Sequence, residues 1–281
     1  MAVKIVHDNY GKSRVRLLKV ARDDGAHEIQ NITVNIAFEG DFEAIHTVGD
    51  NSLCLPTDTM KNTVYALAGE TEEIEPVEVF GQRLATHFLD KNPQVSRVRL
   101  DIFEHGWKRL KFDGKLHPHS FVRGSGEKRV ANIDATHDGI TVEAGVEDLI
   151  VLKTAGSGFV GYIKDKYTTL PETTDRILST AIKATWRYAN PASATDTAWK
   201  NIRHTIIETF ADFDSLSVQH TLYAMGKTVL IVFPEVEEIA FSLPNIHCLP
   251  VDMTKFGQIN DNRIFVPTDE PHGLIEAKLC R

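Results

Sequence analysis

The segment LPTDTMKNTVY, Leu55 to Tyr65, crowds Thr57, Asp58, Thr59, Lys61, Asn62 and Thr63 beside a proline. A threonine hydroxyl becomes a proton carrier only when a neighbour takes its proton. A partly desolvated lysine can do so, because leaving water lowers the pKa of its ammonium. Lys61, one helical turn on, and Lys12 in NYGKSRVRL are both candidates, and composition does not choose between them. The segment also reads as a helix start, with Thr57 or Asp58 able to cap exposed backbone N–H groups.

Metal and phosphate chemistry have weaker footing. His117 and His119 in HPHSF share a strand face, but a cupin-like site calls for a carboxylate about four residues later, where Val122 and Arg123 stand. His7, His105 and His137 have no helpful spacing and no His-Glu-x-x-His pair occurs, so these histidines read as surface or hydrogen-bonding groups. TAGSGF at 154–159 lacks both the Walker lysine and the G-x-G-x-x-G spacing, and reads as a tight turn out of a strand. No G-x-S-x-G elbow is present, and no cysteine has a histidine partner in its sequence context.

The elements that must carry these groups alternate in type. Residues 14–38 read as a hairpin, with Ile32, Val34, Ile36 and Phe38 alternating and RDDGAHE as the turn. A helix follows over PTDTMKNTVYALA, then a second with Val77, Phe80, Leu84 and Phe88 on one face. Val98, Leu100 and Ile102 return to strand period, FDGK at 112–115 is a turn, and THDG at 136–139 marks a boundary. Beyond it, LIVLKT at 149–154 reads as strand and PETTDRILSTAI at 171–182 as helix. Trp199, Ile202, Ile206 and Phe210 form another helical stripe. LSVQHTLYA at 216–224 begins with strand alternation, Val218 on one side and Gln219 on the other. Each half mixes antiparallel strands with helices, an α+β pattern, and the halves resemble each other in element order alone.

With 281 residues, 42% apolar and 25% charged, the chain has the composition of a soluble globular protein of one large domain or two ordinary ones. Cys54, Cys248 and Cys280 form neither an even framework nor a C-x-x-C pair and read as reduced thiols. No signal-peptide pattern opens the chain and no apolar run is long enough to span a membrane. The closing KLCR is not the Ser-Lys-Leu peroxisomal address, so a cytoplasmic location without membrane contact is expected. A net charge of −8 argues against a nucleic-acid partner and means that an anionic substrate needs a local cluster of cations.

LIVLKTAGSGFVGYIKDKYTTLPETTDR, residues 149–176, closely resembles the signature segment of the urate oxidase (uricase) family, with Lys153, Phe159, Tyr167, Leu170 and Arg176 at the family's spacing. YGKSRVRL, PTDTMKNTVY, SVQHTLY and SLPNIH agree in the family's order, and HPHSF and FEHGW fit as well. Ala155 departs from the pattern, which carries a hydroxyl residue there. The resemblance implies a tunnelling fold (T-fold) of two tandem units, 1–138 and 139–281, each an antiparallel sheet backed by helices. It implies a homotetramer closing a barrel, with active sites at subunit interfaces. It also implies oxidation of urate by O2 to 5-hydroxyisourate and hydrogen peroxide, with no metal or organic cofactor.

The residue roles implied by the resemblance are chemically coherent. Phe159 would stack on the flat purine. Arg176 would clamp two acceptors of the anion with its planar fork, and Gln219 with the backbone N–H of Val218 would read the opposite edge. Thr57 and Asp58 would reach urate from a neighbouring chain, from a helix N-terminus whose unpaired N–H groups suit an anion. Lys12, Thr57 and His247 would form a proton relay, while Asn245, sharing a strand face with His247, would hold O2, peroxide or water together with Thr57. The alternatives are a catalytically inactive purine-binding protein that keeps this cradle, or another T-fold purine or pterin enzyme.

Overall fold

The structure is a computed structural model that describes residues 3–22, 25–268 and 270–281. Its elements in chain order are β1 (Tyr10–Ala21), β2 (Glu28–Gly40), the short α1 (Glu43–Thr47), α2 (Thr57–Gly69), α3 (Val77–Lys91), β3 (Val95–Phe112) and β4 (Lys115–Thr136). They continue with β5 (Gly139–Lys153), β6 (Leu178–Tyr188), α4 (Asp196–Asp212), α5 (Val218–Val232), β7 (Val236–Pro250), β8 (Phe265–Thr268) and β9 (Leu274–Cys280). Apart from α1 and β9, both halves run strand-strand-helix-helix-strand-strand, and the α+β class read from the sequence holds. Compactness divides the chain into Met1–Gly145 with Arg187–Trp199, and Val146–Trp186 with Lys200–Arg281. The boundary read at 138/139 falls in the turn between β4 and β5, whereas the compact units part within β5, β6 and α4.

In the first unit β1 to β4 form an antiparallel meander. Along β2, Gln30, Ile32, Val34, Ile36 and Phe38 are buried and alternate with half-exposed residues, so one face of the sheet needs a cover. Helix α3 supplies it with Val77, Phe80, Leu84 and Phe88, all buried. Each such side chain withdrawn from water contributes about 1.5–3 kcal/mol. The approach is close at Gly81, where a methyl group would lie 2.6 Å from Ile133 Cγ1 and 3.0 Å from Ile102 Cδ1. The expected hairpin over 14–38 is β1–β2, though Asp23 and Asp24 of its turn lie outside the described residues. FDGK joins β3 to β4 with Asp113 and Gly114 at φ 49° and 81°, the successive left-handed pair that matches strand twist.

In the second unit β7 pairs antiparallel with both β8 and β9. Helix α5 sits on β7 and β9 at Gly226, whose absent Cβ would lie 3.0 Å from Leu279 Cδ2 and 3.3 Å from Phe241 Cε2. A glycine thus seats a helix on its sheet in each unit.

Two readings from the sequence are corrected. PETTDRILSTAI is no helix: 171–177 is loop and β6 begins at Leu178, with Leu178, Thr180, Ile182, Ala184, Trp186 and Tyr188 buried at period two. LSVQHTLYA is no strand: Ser217 caps α5, and Val218, Leu222, Met225 and Val229 bury a helical stripe. Val218 and Gln219 are therefore consecutive residues of a first helical turn rather than opposite faces of a strand.

A buried charge cluster lies under α3. The Glu78 carboxylate accepts from Arg129 Nε at 3.0 Å and Nη2 at 2.6 Å, and Arg129 Nη1 donates to Asp196 at 2.7 Å. The guanidinium also lies 4.8 Å from the Trp199 ring centroid. Burial pushes the Glu78 carboxyl up despite Arg129, so the pair adds little net stability, but losing Glu78 leaves two buried nitrogens of Arg129 without their acceptor while Asp196 holds the third. Glu78→Ala is expected to lower the free energy of unfolding by about 3–5 kcal/mol, read as a shift of the urea midpoint; an unchanged midpoint contradicts that role.

Candidate active site

The first unit brings Lys12 to the start of α2. At Gly11 the strand β1 presses on β2 so closely that a Cβ would fall 1.8 Å from the Ile36 carbonyl oxygen, which only glycine permits. Just beyond Lys12 the register shifts, Arg14 takes φ 59°, and its N–H donates to Asn35 Oδ1 at 2.8 Å. This bulge re-aims the strand at Lys12. On the other side of Gly11, the Tyr10 hydroxyl accepts the Leu55 N–H at 2.9 Å, and its ring meets Phe42 edge-on at 4.7 Å. Burial pushes the Tyr10 phenol up to about 12, so it stays a neutral anchor for the chain entering α2.

Helix α2 begins at Thr57, and the capping position belongs to Pro56, which supplies no side-chain bond. The reading of Thr57 or Asp58 as the cap is thereby corrected. Proline fixes φ at −55° and directs the chain into the helix unaided, leaving the half-exposed Thr57 hydroxyl outside the capping. The Asp58 carboxylate accepts from Lys61 Nζ at 2.5 Å and Asn62 Nδ2 at 3.0 Å. The Lys61 contact holds Asp58 below the usual carboxylate range, with a further push from the charge on Lys12. Asp58 in turn holds Lys61 as an ammonium ion by raising its pKa. Of the two lysines that the sequence left open, Lys61 is committed to Asp58, and Lys12 is near enough to the start of α2 for its charge to act on Asp58.

The second unit builds a clasp from three separate stretches of chain. After β5, the N–H groups of Gly156 and Ser157 donate to Asp175 Oδ1 at 2.8 and 3.4 Å. Gly158 N–H donates to the Ser215 carbonyl at 2.8 Å, and Ser215 N–H to that of Gly156 at 2.9 Å. Arg176 N–H reaches the Ser157 carbonyl at 2.7 Å, while Phe159 and Thr173 exchange backbone bonds of 2.7 and 3.1 Å. TAGSGF is therefore a turn out of a strand, as read, and the Phe159 ring rests on backbone bonds rather than in the core. Ala155, the departure from the family pattern, is exposed just ahead of these bonds.

On this clasp the Arg176 guanidinium lies 5.2 Å from the Phe159 ring centroid. Tyr162 stacks on Phe159 at 4.7 Å and 15°, with its hydroxyl donating to the Leu170 carbonyl at 2.5 Å. Arg176 is half-buried, its Nε is buried without a partner, and burial pushes its pKa down. It remains cationic, because an arginine starts so far above neutrality. Four residues past Ser215 comes Gln219, exposed, and before it the buried Val218, the first two residues of α5. The first amides of a helix have no partner within it and carry a partial positive charge.

Asn245 and His247 stand two apart on β7, both half-buried. Asn245 N–H is held by the Gly273 carbonyl at 2.8 Å, and His247 lies in register with Thr268 of β8. The shared strand face expected for them holds. Phe159, Arg176 and the Val218–Gln219 step are thus joined through one clasp, Lys12 and Thr57–Asp58 meet in the first unit, and Asn245 with His247 form a third set. Tyr10, Tyr162, Asp175 and Ser215 were not singled out from the sequence, although an aromatic three residues after Phe159 is a signal for Tyr162. The rings of His117 and His119 are 4.7 Å apart, and among the described residues no group of three or more His, Cys, Asp or Glu is placed to hold a metal ion. No described helix is long and apolar enough to cross a membrane.

A sequence model of the uricase family matches residues 8–134 and 142–276. The chain belongs to the uricase family. Uricase of Arthrobacter globiformis is 42% identical over 99% of this chain and 90% of the relative, and rabbit (Oryctolagus cuniculus) uricase 37% identical over 99% and 95%. The crystal structure of uricase from Arthrobacter globiformis superposes with a TM-score of 0.94 at 42% identity, covering 100% of this chain and 96% of that one. The architecture is accordingly the T-fold of the uricases, with two tandem units of antiparallel strands backed by helices.

Proposed function

We propose that the protein oxidises urate with O2 to 5-hydroxyisourate and hydrogen peroxide, drawing on no bound metal or organic cofactor. Membership of the uricase family supports the substrate. The observation that carries the reading within the site is a desolvated guanidinium laid against an aromatic face, with an N–H still unpaired. A flat anion answers both features at once: its ring stacks on Phe159 and its acceptors take the Arg176 fork. Gln219 and the Val218 N–H then read the far edge.

The reaction balances as urate plus O2 plus water giving 5-hydroxyisourate plus hydrogen peroxide. Two electrons pass from deprotonated urate to O2, and water oxygen bonds to C5 with release of a proton. The protein supplies deprotonation, orientation and a site poor in water. Lys12 lowers the cost of removing the Thr57 proton, Thr57 relays the proton of urate, and His247 assists the attacking water. Asn245 and Thr57 hold the oxygen species above the ring. Thr57 and Asp58 come from a neighbouring chain of a homotetramer, so each site joins the first unit of one chain to the second unit of another.

Oxygen uptake by metal-stripped protein on addition of urate tests the reaction. Uptake equal to the urate lost and to the peroxide formed is expected; urate bound without uptake would indicate a purine-binding protein that lacks the chemistry. Thr57→Ala is expected to lower kcat by about 10²-fold or more while leaving anaerobic urate affinity within a few-fold, and full turnover in that variant removes Thr57 from the relay.

A further inference from the structure

One buried hydroxyl pair in the second unit serves neither the apolar core nor solvent. Thr221 Oγ1 lies 2.6 Å from Ser215 Oγ and 3.2 Å from the Ser217 carbonyl oxygen, and Ser215 Oγ lies 3.1 Å from that same carbonyl. Each hydroxyl has one proton, so one donates to the other and the second donates to the Ser217 carbonyl; either order leaves both hydroxyls satisfied. Ser215 and Thr221 are each 1% exposed, so water cannot take the place of either partner. The Ser217 carbonyl is also the acceptor of the Thr221 N–H at 3.1 Å, and the Ser217 hydroxyl caps the helix by accepting the His220 N–H at 3.1 Å.

Ser215 faces two ways. Its backbone is the partner of Gly156 and Gly158 in the clasp that carries Phe159, and Arg176 is bonded to the Ser157 carbonyl between those glycines. Its hydroxyl is the partner of the first turn of α5, whose opening residues are Val218 and Gln219. The aromatic platform and the helix start are thus fastened to each other through one side chain. We propose that Ser215 and Thr221 are positioning residues, their hydroxyls holding the Val218 N–H and the Gln219 amide at the distance from the Phe159–Arg176 platform that one purine ring requires. The inference rests on the reading of Phe159, Arg176 and Gln219 as the purine cradle.

The link is not what seats α5 on its sheet. Val218, Leu222, Met225 and Val229 already bury the stripe that seats α5. A hydrogen bond to a ring edge, in contrast, is lost over a few tenths of an ångström. Loosening the link is therefore a loss of binding geometry before it is a loss of helix.

The test measures anaerobic urate binding to the full-length protein and its variants. Thr221→Val preserves shape and deletes the hydroxyl, and is expected to weaken binding about tenfold, while Thr221→Ser binds as the parent does. In a Gln219→Ala background the Thr221→Val loss is expected to shrink to well below its value in the parent, because its effect passes through the group already removed. Parent-like binding by Thr221→Val, or losses that multiply fully in the double variant, overturns the positioning role. Parent-like binding by Gln219→Ala instead overturns the cradle reading, and this inference with it. If Thr221→Val does not fold, Ser215→Ala replaces it with the same expected and contrary results.

Discussion

A guanidinium drawn half out of water against an aromatic ring has lost hydration that the ring returns only in part. Arg176 is in this position over Phe159, with one N–H unpaired. Cation–π contact at such a site is worth about 0.5–2 kcal/mol, less than a charge-assisted pair would return. Holding the group there requires a rigid mount, and the 156–159, 173–176 and 215 stretches provide it through backbone bonds of 2.7 to 3.1 Å. Backbone bonds depend little on side-chain identity, and of the side chains here Asp175 joins the mount by accepting from Gly156 and Ser157. On a chain of net charge −8, this local cation is also what makes an anionic substrate reasonable.

Two of the proposed contact pairs stand at helix starts. Thr57 and Asp58 open α2, and Val218 and Gln219 open α5. Each pair stands at the end of a helix where amide protons point outward and the dipole favours negative charge. The entries differ in chemistry. Pro56 leads into α2 with no side-chain cap and Thr57 outside the capping, whereas Ser217 caps α5 and its carbonyl is bonded by the hydroxyls of Ser215 and Thr221. The commitment of Lys61 to Asp58 further separates it from Lys12, the lysine of the proposed relay.

Strong periodicity made much of the fold legible. The period-two run of Ile32, Val34, Ile36 and Phe38, the stripe of Val77, Phe80, Leu84 and Phe88, and the Asp113–Gly114 turn each have a single low-energy reading, and each is found. Misreadings occurred where short signals compete. Pro171 with nearby acidic residues imitates a helix entrance, yet the buried alternation from Leu178 decides for strand. Leu216, Val218 and His220 alternate for five residues, too few to outweigh a helical stripe extending to Val229. The site residues are scattered over two strands, two helix starts and a loop, in two compact units, so no local pattern assembles them. They are proposed through the spacing shared with a family, and Ser215 and Thr221, proposed to position two of them, have ordinary polar identities that no spacing marks.

The proposed division of the site between chains has a direct consequence, because Phe159 and Arg176 belong to one compact unit and Lys12 and Thr57 to the other. The decisive measurement is urate turnover by hybrid oligomers formed from Thr57→Ala chains and Arg176→Gln chains, each poorly active alone. If one chain completes the site of another, some sites in the hybrids receive an intact cradle and an intact Thr57, and turnover rises well above that of either parent. Hybrids shown to have formed that remain as inactive as their parents would contradict a site shared between subunits.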